Sequence, residues 1–332
     1  MTQRKLFDKA RRFGLNPVIL VIFVIAALMP LLIANEYVVR LLVSTLMMAA
    51  LAMAFDFTSG YINVCNFGFA AFWGLGAYAS TIAVTRLGIS PWIGLAFAVA
   101  ASALLGFLIG LLSIRLGGIF ASCMTWFVSL GLMTLANNLV KLTNGSAGLH
   151  AKSLFNTTRN APYFYVMFGA MLAVYFLLTW ITNLDMGLAF RGIGQDIDAA
   201  SSSGISPVKY KIANFTISCA LAGLIGGIYA HFIGIVTPSV MSTNKTVEVM
   251  AISYIGGRGS IWGSLVLALI LVPVLDIAKG LMEWRTIIYG LLMIAVMVYY
   301  PDGFSGLILK AKDGAIKRLR RSRPTQKRGE GS

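Results

Sequence analysis

The feature that most constrains this chain is a succession of long stretches without one charged residue. Pro17 to Ala34, Leu41 to Phe55, Phe57 to Thr85, Leu87 to Ile114, Leu116 to Val140, Asn160 to Leu184 and Ile212 to Asn244 contain no Asp, Glu, Lys or Arg. Most of them can hold a membrane helix, which needs roughly 20 mainly apolar residues. In hydrocarbon every backbone N–H and C=O must be bonded within the protein, so long apolar runs span as helices; the ten-residue alternation of a membrane barrel is not the pattern here. With 58% hydrophobic and 12% charged residues, the chain has more apolar surface than a water-soluble domain can hide. The expected fold is all-α, a polytopic transmembrane helical bundle.

The charge is concentrated at the ends, and this sets the expected topology. Arg4, Lys5, Lys9, Arg11 and Arg12 precede the first apolar run, and Lys310, Lys312, Lys317, Arg318, Arg320, Arg321, Arg323, Lys327 and Arg328 follow the last, dominating a net charge of +15. Basic ends beside membrane spans read as positive-inside signals that lie against anionic lipid rather than as a nucleic-acid arm. The N-terminal basic cluster resembles a secretory signal, but the run after it is long for a signal core and no small-x-small site closes it. Both termini are therefore expected in the cytoplasm, with 1–16 a basic N-terminus, 17–300 the membrane domain and 301–332 a basic tail. Spans are expected near 17–34, 38–56, 66–86, 91–114, 119–140, 162–183, 211–233, 246–257, 261–279 and 286–300, about ten in all, with an eight-crossing arrangement still open. Segment 246–257 is too short to cross unaided and reads as a broken or re-entrant helix.

Glycine interrupts the apolar pattern in two places, Gly60 to Tyr78 and Gly256 to Gly263. In this topology spans two to five and seven to ten run in opposite senses, as an inverted repeat does. Broken helices in the two halves of such a repeat point to a translocation site. Asp56 and Glu248 each border an apolar run, and two readings stand: carboxylates of a pathway, or hydrated groups at the interface. Tyr61, Asn63 and Asn66 lie in the first interruption, where the two asparagines either face water or hydrogen-bond between helices. Gly60, Gly68, Gly74, Gly223, Gly227, Gly256 and Gly257 are read as close-packing positions, and Gly106–Gly110 and Gly223–Gly227 have small-xxx-small spacing. Trp92, Trp126, Trp180 and Trp284 read as interface anchors or packing residues. Cys65, Cys123 and Cys219 read as small buried hydrophobes, and His150 and His231 are too few for a metal centre, so no metal is expected.

The expected cytoplasmic connection 185–211 holds Asp198-Ala199-Ala200-Ser201-Ser202-Ser203-Gly204-Ile205. Its small residues and terminal glycine describe a short capped helix that another protein can approach closely, or equally an ordinary loop helix. The octapeptide resembles the EAA-type coupling loop of ABC importer permeases, with Asp198 in place of the usual Glu. Gly187-Leu-Ala-Phe-Arg191, Ser59-Gly60-Tyr61, Phe67 to Phe72, Gly74 to Tyr78, Ala220 to Ala230, Glu248 and Gly256 to Gly263 extend that likeness. Together these segments are similar to the branched-chain amino acid permease family, in its LivM-like branch.

The resemblance implies a type II-like importer permease in which Gly187, Arg191, Asp198, Ala199, Ala200, Gly204 and Ile205 couple to an ATPase. Asp56, Tyr61, Asn63, Asn66 and Glu248 would line the pathway. Implied partners are cytoplasmic ABC ATPase subunits, a paralogous permease and a periplasmic substrate-binding protein, with branched-chain amino acids the first substrate class and urea or short amides, nucleosides or small aromatic acids behind it. The sequence departs from the family at Gly68-Phe69, where a Gly-His pair is common, at Val64-Cys65-Asn66, where Leu-Leu-Ser is common, and at Asp56, where Asn is usual. No Gly-x-x-x-x-Gly-Lys-Ser/Thr loop occurs, so ATP is expected to be used by partner subunits and no cofactor is expected in this chain. An ion-coupled carrier or channel built on Asp56 and Glu248 is the competing class, and an intramembrane enzyme lacks a plausible Ser/His pair, an HExxH motif or a spaced carboxylate pair.

Overall fold

The computed structural model describes residues 17–32, 35–113, 116, 118–155, 157, 159–277, 285–300 and 303–306. The basic clusters at both ends, Arg115 and Trp284 lie outside the described residues. Among the described residues the α-helices of six or more residues are, in chain order, α1 (Pro17–Leu32), α2 (Glu36–Ser59), α3 (Phe69–Leu87), α4 (Pro91–Ser113), α5 (Ile119–Asn138), α6 (Ala161–Thr182), α7 (Asp185–Gln195), α8 (Ile197–Ser202), α9 (Pro207–Ile233), α10 (Thr243–Gly256), α11 (Ile261–Ile277) and α12 (Arg285–Tyr299). Each expected span thus coincides with a helix, and α7 and α8 occupy the long polar connection.

Among the described residues, six stretches are long and apolar enough to cross a membrane unaided: α2, α4, α5, α6, α9 and one that begins at Ile287 in α12. Thr243–Gly256 and Ile261–Asp276 together make a seventh, bent by 116° at their junction. The short segment 246–257 is therefore half of a broken span, as its length required. The remaining difference from ten lies in α1, described over 16 residues, and in α3, whose 19 residues are diluted with Gly, Ala, Ser and Thr.

Local chemistry sets the helix limits. The Asn35 side chain accepts the Tyr37 N–H at 3.0 Å and caps α2, while proline opens α4, α6 and α9 close to their first turns. The start of α9 at Pro207 brings Lys209 and Lys211, expected in the preceding loop, into the helix.

Two helices form the centre. From Thr45 to Ser59, α2 is buried on every side, the behaviour of a helix apolar all round. Beside it α9 packs most extensively on α4 and α3, and glycine sets the spacing. A Cβ on Gly226 would lie 2.0 Å from the Trp73 carbonyl oxygen, and one on Gly223 would lie 2.5 Å from the Gly223-facing Ser102 Cβ. The two small-xxx-small segments face each other's helices: Gly106 meets Cys219 and Gly110 meets Ile212, while Gly223 and Gly227 meet Ala98. Polar side chains tie the same helices together, as expected where association gains little from hydrophobic burial. Asn214 Nδ2 donates to the Phe57 carbonyl (2.8 Å), Ser218 Oγ to the Ala54 carbonyl (2.6 Å) and Ser102 Oγ to the Phe72 carbonyl (2.9 Å).

One end of the bundle carries a small antiparallel ribbon, Leu149–His150 against Ile235–Val236, with Leu149 opposite Val236. Buried His231 pins it. Its Nδ1 lies 2.6 Å from the Lys152 carbonyl, which can only accept, so Nδ1 carries the proton and Nε2 accepts from the Ser80 hydroxyl at 2.8 Å. The opposite end carries α7 and α8.

Gly226→Val is expected to destabilise the folded protein by at least about 1–3 kcal/mol, because the Trp73 backbone cannot yield. Gly169→Ala, at a position with open space, is expected to be neutral. Thermal unfolding of both variants in detergent tests the difference.

Candidate functional site

The chain leaves helical geometry at two related places. Residues 60–68 follow α2 and precede α3, and residues 234–242 follow α9 and precede α10. The two segments are inverted counterparts. Helices α2 and α9 run antiparallel, since Phe57 meets Asn214 and Ala54 meets Ser218. Helix α3 and the 241–246 segment also run antiparallel, since Ala70 meets Thr246 and Gly74 meets Met241. The sequence had paired the Gly60–Tyr78 interruption with Gly256–Gly263. The structure pairs it instead with 234–242, because each of these segments follows a long helix and launches a shorter one inside the bundle.

The two launched helices begin side by side. The Ala70 N–H at the start of α3 donates to Thr246 Oγ1 at the start of α10 (3.1 Å), and Asn66 Oδ1 accepts the Gly68 N–H (3.1 Å). The middle of α5 closes this centre. The Thr125 carbonyl lies against Gly68, Ser129 Oγ donates to the Met241 carbonyl (3.1 Å), and Trp126 Nε1 donates to Thr243 Oγ1 (3.0 Å). Of its two readings Trp126 thus takes that of a packing residue, its indole N–H donated within the bundle.

The remaining interruption, 257–260, docks onto the first one. Asp56 is fully buried at the end of α2, and its Oδ1 accepts the Gly259 N–H (2.9 Å) and the Ser253 hydroxyl (3.3 Å). Arg258 donates to the Ser59 carbonyl (3.4 Å) and to Asn63 Oδ1, and its guanidinium stacks over Tyr254 at 5.4 Å. A Cβ on Gly60 would sit 2.2 Å from the Gly259 nitrogen, so this approach requires glycine. Asn63 stands at φ 61°, a left-handed conformation that asparagine tolerates better than most residues. Orphan backbone groups at one interruption are thereby satisfied by side chains of the other.

Helix α7 leans on the same place. A Cβ on Gly194 would lie 2.3 Å from the Tyr61 carbonyl oxygen, and the Arg191 guanidinium lies 5.1 Å from the Tyr61 ring centre. Gly187 packs on the Thr182 carbonyl. Asp196 then caps α8 by accepting the Asp198 and Ala199 N–H groups (2.9 and 3.0 Å). Gly204, at φ 82°, closes it: the Gly204 N–H donates to the Ser201 carbonyl and the Ile205 N–H to the Ala200 carbonyl, the Schellman arrangement. Asp198 and Ala199 are exposed, Ala200 is buried and Ile205 half-buried.

Placed on this frame, the anticipated residues separate into three groups. Asp56, Tyr61, Asn63 and Asn66 gather around the paired interruptions, and the Gly187–Ile205 set forms a continuous protruding unit. Glu248 stands apart: it pairs with Lys245 at 3.1 Å, and about 8 Å of helix separates it from Ser253, which touches Asp56. The two carboxylates are therefore not a pair. Among the close-packing glycines, Gly60, Gly68, Gly74, Gly223, Gly227 and Gly256 each face another element, and Gly257 lies against Gly303 at φ 115°. Sequence reading missed Asp196, Gly194, Ser253 and Lys245. Only Asp196 carried a local signal, an Asp one residue ahead of a short helix.

A polytopic helical bundle whose half-helices start inside it from opposite sides defines a solute permease of the inverted-repeat class. Residues 37–297 match the family described as branched-chain amino acid transport system / permease component, and the chain belongs to that family of ABC importer permease subunits. It is similar to the high-affinity branched-chain amino acid transport system permease protein LivM of Salmonella typhimurium, 27% identical over 331 residues that cover 90% of this chain and 77% of that protein. It is also similar to LivH of Escherichia coli, 26% identical over 283 residues covering 78% and 91% of the two chains. The fructose import permease protein FrcC of Rhizobium meliloti is 28% identical over 225 residues, 63% of this chain and 62% of that one. No solved structure matches the chain.

Asp56→Ala is expected to cost about 1–3 kcal/mol, since it leaves the half-buried Gly259 N–H and the buried Ser253 hydroxyl without their acceptor. Asp56→Asn keeps an acceptor oxygen there and is expected to cost much less. Thermal unfolding of the two purified variants distinguishes them.

Proposed function

We propose that this chain is one of two permease subunits of an importer worked by cytoplasmic ATPases, and that it carries branched-chain amino acids delivered by a periplasmic binding protein. A paralogous permease supplies the second half of the pathway. Both termini lie in the cytoplasm, with the basic ends against anionic lipid, and ATP is used by the partners rather than by this chain. The substrate class rests on the relatives, LivM and LivH above all.

The observation that carries the coupling mechanism is an unbroken line of contacts. The exposed α8 and the exposed Leu188 of α7 offer a docking surface at one end of the bundle. From there Arg191 and Gly194 bear on Tyr61, the Tyr61 segment bears on Arg258 through Asn63, and Gly259 is bound to Asp56. Closure of an ATPase pair on α8 therefore pushes directly on the junction of the broken helices. Alternating access follows when that junction shifts as one body against α9 and α4.

Asp198→Lys combined with Gly204→Val is expected to lower ATP-dependent leucine uptake by about tenfold or more while the protein still inserts in the membrane. Valine strains the left-handed position at Gly204, and lysine reverses the exposed charge beside the Asp196 cap. The readouts are uptake by cells expressing the complete importer, the amount of permease in the membrane, and ATPase co-purification. Unchanged uptake with a fully assembled ATPase refutes the docking assignment.

A further inference from the structure

The ion pair of Lys245 and Glu248 has no place in the coupling line, and its depth is unusual. Thr243, two residues before Lys245, bonds to Trp126, which lies about 11 Å from one end of α5 and about 18 Å from the other. Met241 bonds to Ser129, at the middle of the same span. In the other direction about 16 Å of α10 separates Lys245 from Gly256. The pair is thus held at the depth of the bilayer interior, by a helix that starts there.

It is also open on one side. The Lys245 side chain is 36% exposed, the Glu248 side chain 7%, and Asn244 beside them is exposed. The half-buried residues Val247, Met250 and Tyr254 of α10 continue this face as a stripe to exposed Arg258, beside Val296, Met297 and Tyr300 of the α12 end. The first interruption borders this stripe, with Cys65 Sγ 3.8 Å from Met250 Sδ. A charged, half-exposed lysine at this depth is not compatible with contact to lipid tails; such groups face the bundle interior or a watery cavity.

We propose that this stripe is a wall of the translocation pathway, and that Lys245 and Glu248 are the charge pair over which the zwitterionic head of the substrate passes, Lys245 meeting its carboxylate and Glu248 its ammonium group. The two side chains carry opposite charges 3.1 Å apart, which matches the short separation of the two charges of an α-amino acid. The uncharged remainder of the stripe, Val247 and Met250, offers an apolar surface for an aliphatic side chain. The assignment to a zwitterion rests on the amino-acid reading above. The assignment to the pathway wall does not.

The two are separated by experiments on the complete importer. Asn244→Cys is expected to react with a small, charged, membrane-impermeant thiol reagent, to an extent well above that of the parent protein with its native cysteines. No added reaction means the stripe faces lipid or a dry interface, and overturns the whole proposal. Lys245→Met and Glu248→Gln are each expected to lower the maximal rate of leucine uptake by roughly tenfold or more at an unchanged amount of permease in the membrane. The exchange variant Lys245→Glu with Glu248→Lys keeps an ion pair and is expected to remain as low, because the polarity presented to the substrate is reversed. Restoration of uptake by that exchange means that the pair is structural and overturns its role in recognition. If the parent importer carries a solute other than an amino acid while Asn244→Cys still reacts, the zwitterion assignment falls with the substrate reading and the pathway wall stands.

Discussion

An interrupted helix leaves backbone N–H and C=O groups without their helical partners, and the rest of this structure is organised around that problem. Interruptions at 60–68 and 257–260 supply what each other lacks: Asp56 takes the Gly259 N–H, and Arg258 reaches the Ser59 carbonyl. At the starts of the two half-helices Thr246 takes the Ala70 N–H and Asn66 takes that of Gly68. An unmade bond of this kind is expensive where no solvent replaces it. The two halves of the chain are consequently locked together at this junction, and any movement there has to be concerted.

Concerted movement needs rigid bodies around the junction, and the packing of α9 provides one. Its contacts with α3 and α4 are made backbone to backbone through Gly223, Gly226, Gly76 and Gly106, and the bond from the Ser102 hydroxyl to the Phe72 carbonyl joins α4 to α3. Against that block, the Tyr61 segment is held by α7 through Arg191 and Gly194 and by the second interruption through Asn63. The α7–α8 end is thus joined to this junction by direct packing contacts rather than by a flexible linker. The ribbon end is held separately, through His231 with Ser80 and Lys152.

Much of the fold was legible before any coordinates, for a simple reason. The need to satisfy the backbone inside a bilayer leaves a helix as the solution for each apolar run, so the ten expected segments are ten helices. The short 246–257 segment announced a broken span by its length alone. The α8 motif was legible too, because Gly204 marks a left-handed cap by its identity. Other expectations depended on partners distant in sequence, and these moved. Trp126 reads equally as an anchor or a packing residue, and only its indole N–H bond to Thr243 decides for packing. Asp56 and Glu248 look alike as carboxylates beside apolar runs, but one clamps Gly259 and the other pairs with Lys245.

By itself the sequence determined the class of fold, the positions of the helices, the glycine-rich interruptions and the family, because each of these is written in local composition or in short motifs. Tertiary structure alone decided which interruption answers which, that 234–242 is the counterpart of 60–68, and that the start of α10 lies deep among other spans. The reason is physical: depth in the membrane and the satisfaction of a backbone break are properties of pairs of segments more than a hundred residues apart, and no local pattern encodes the partner.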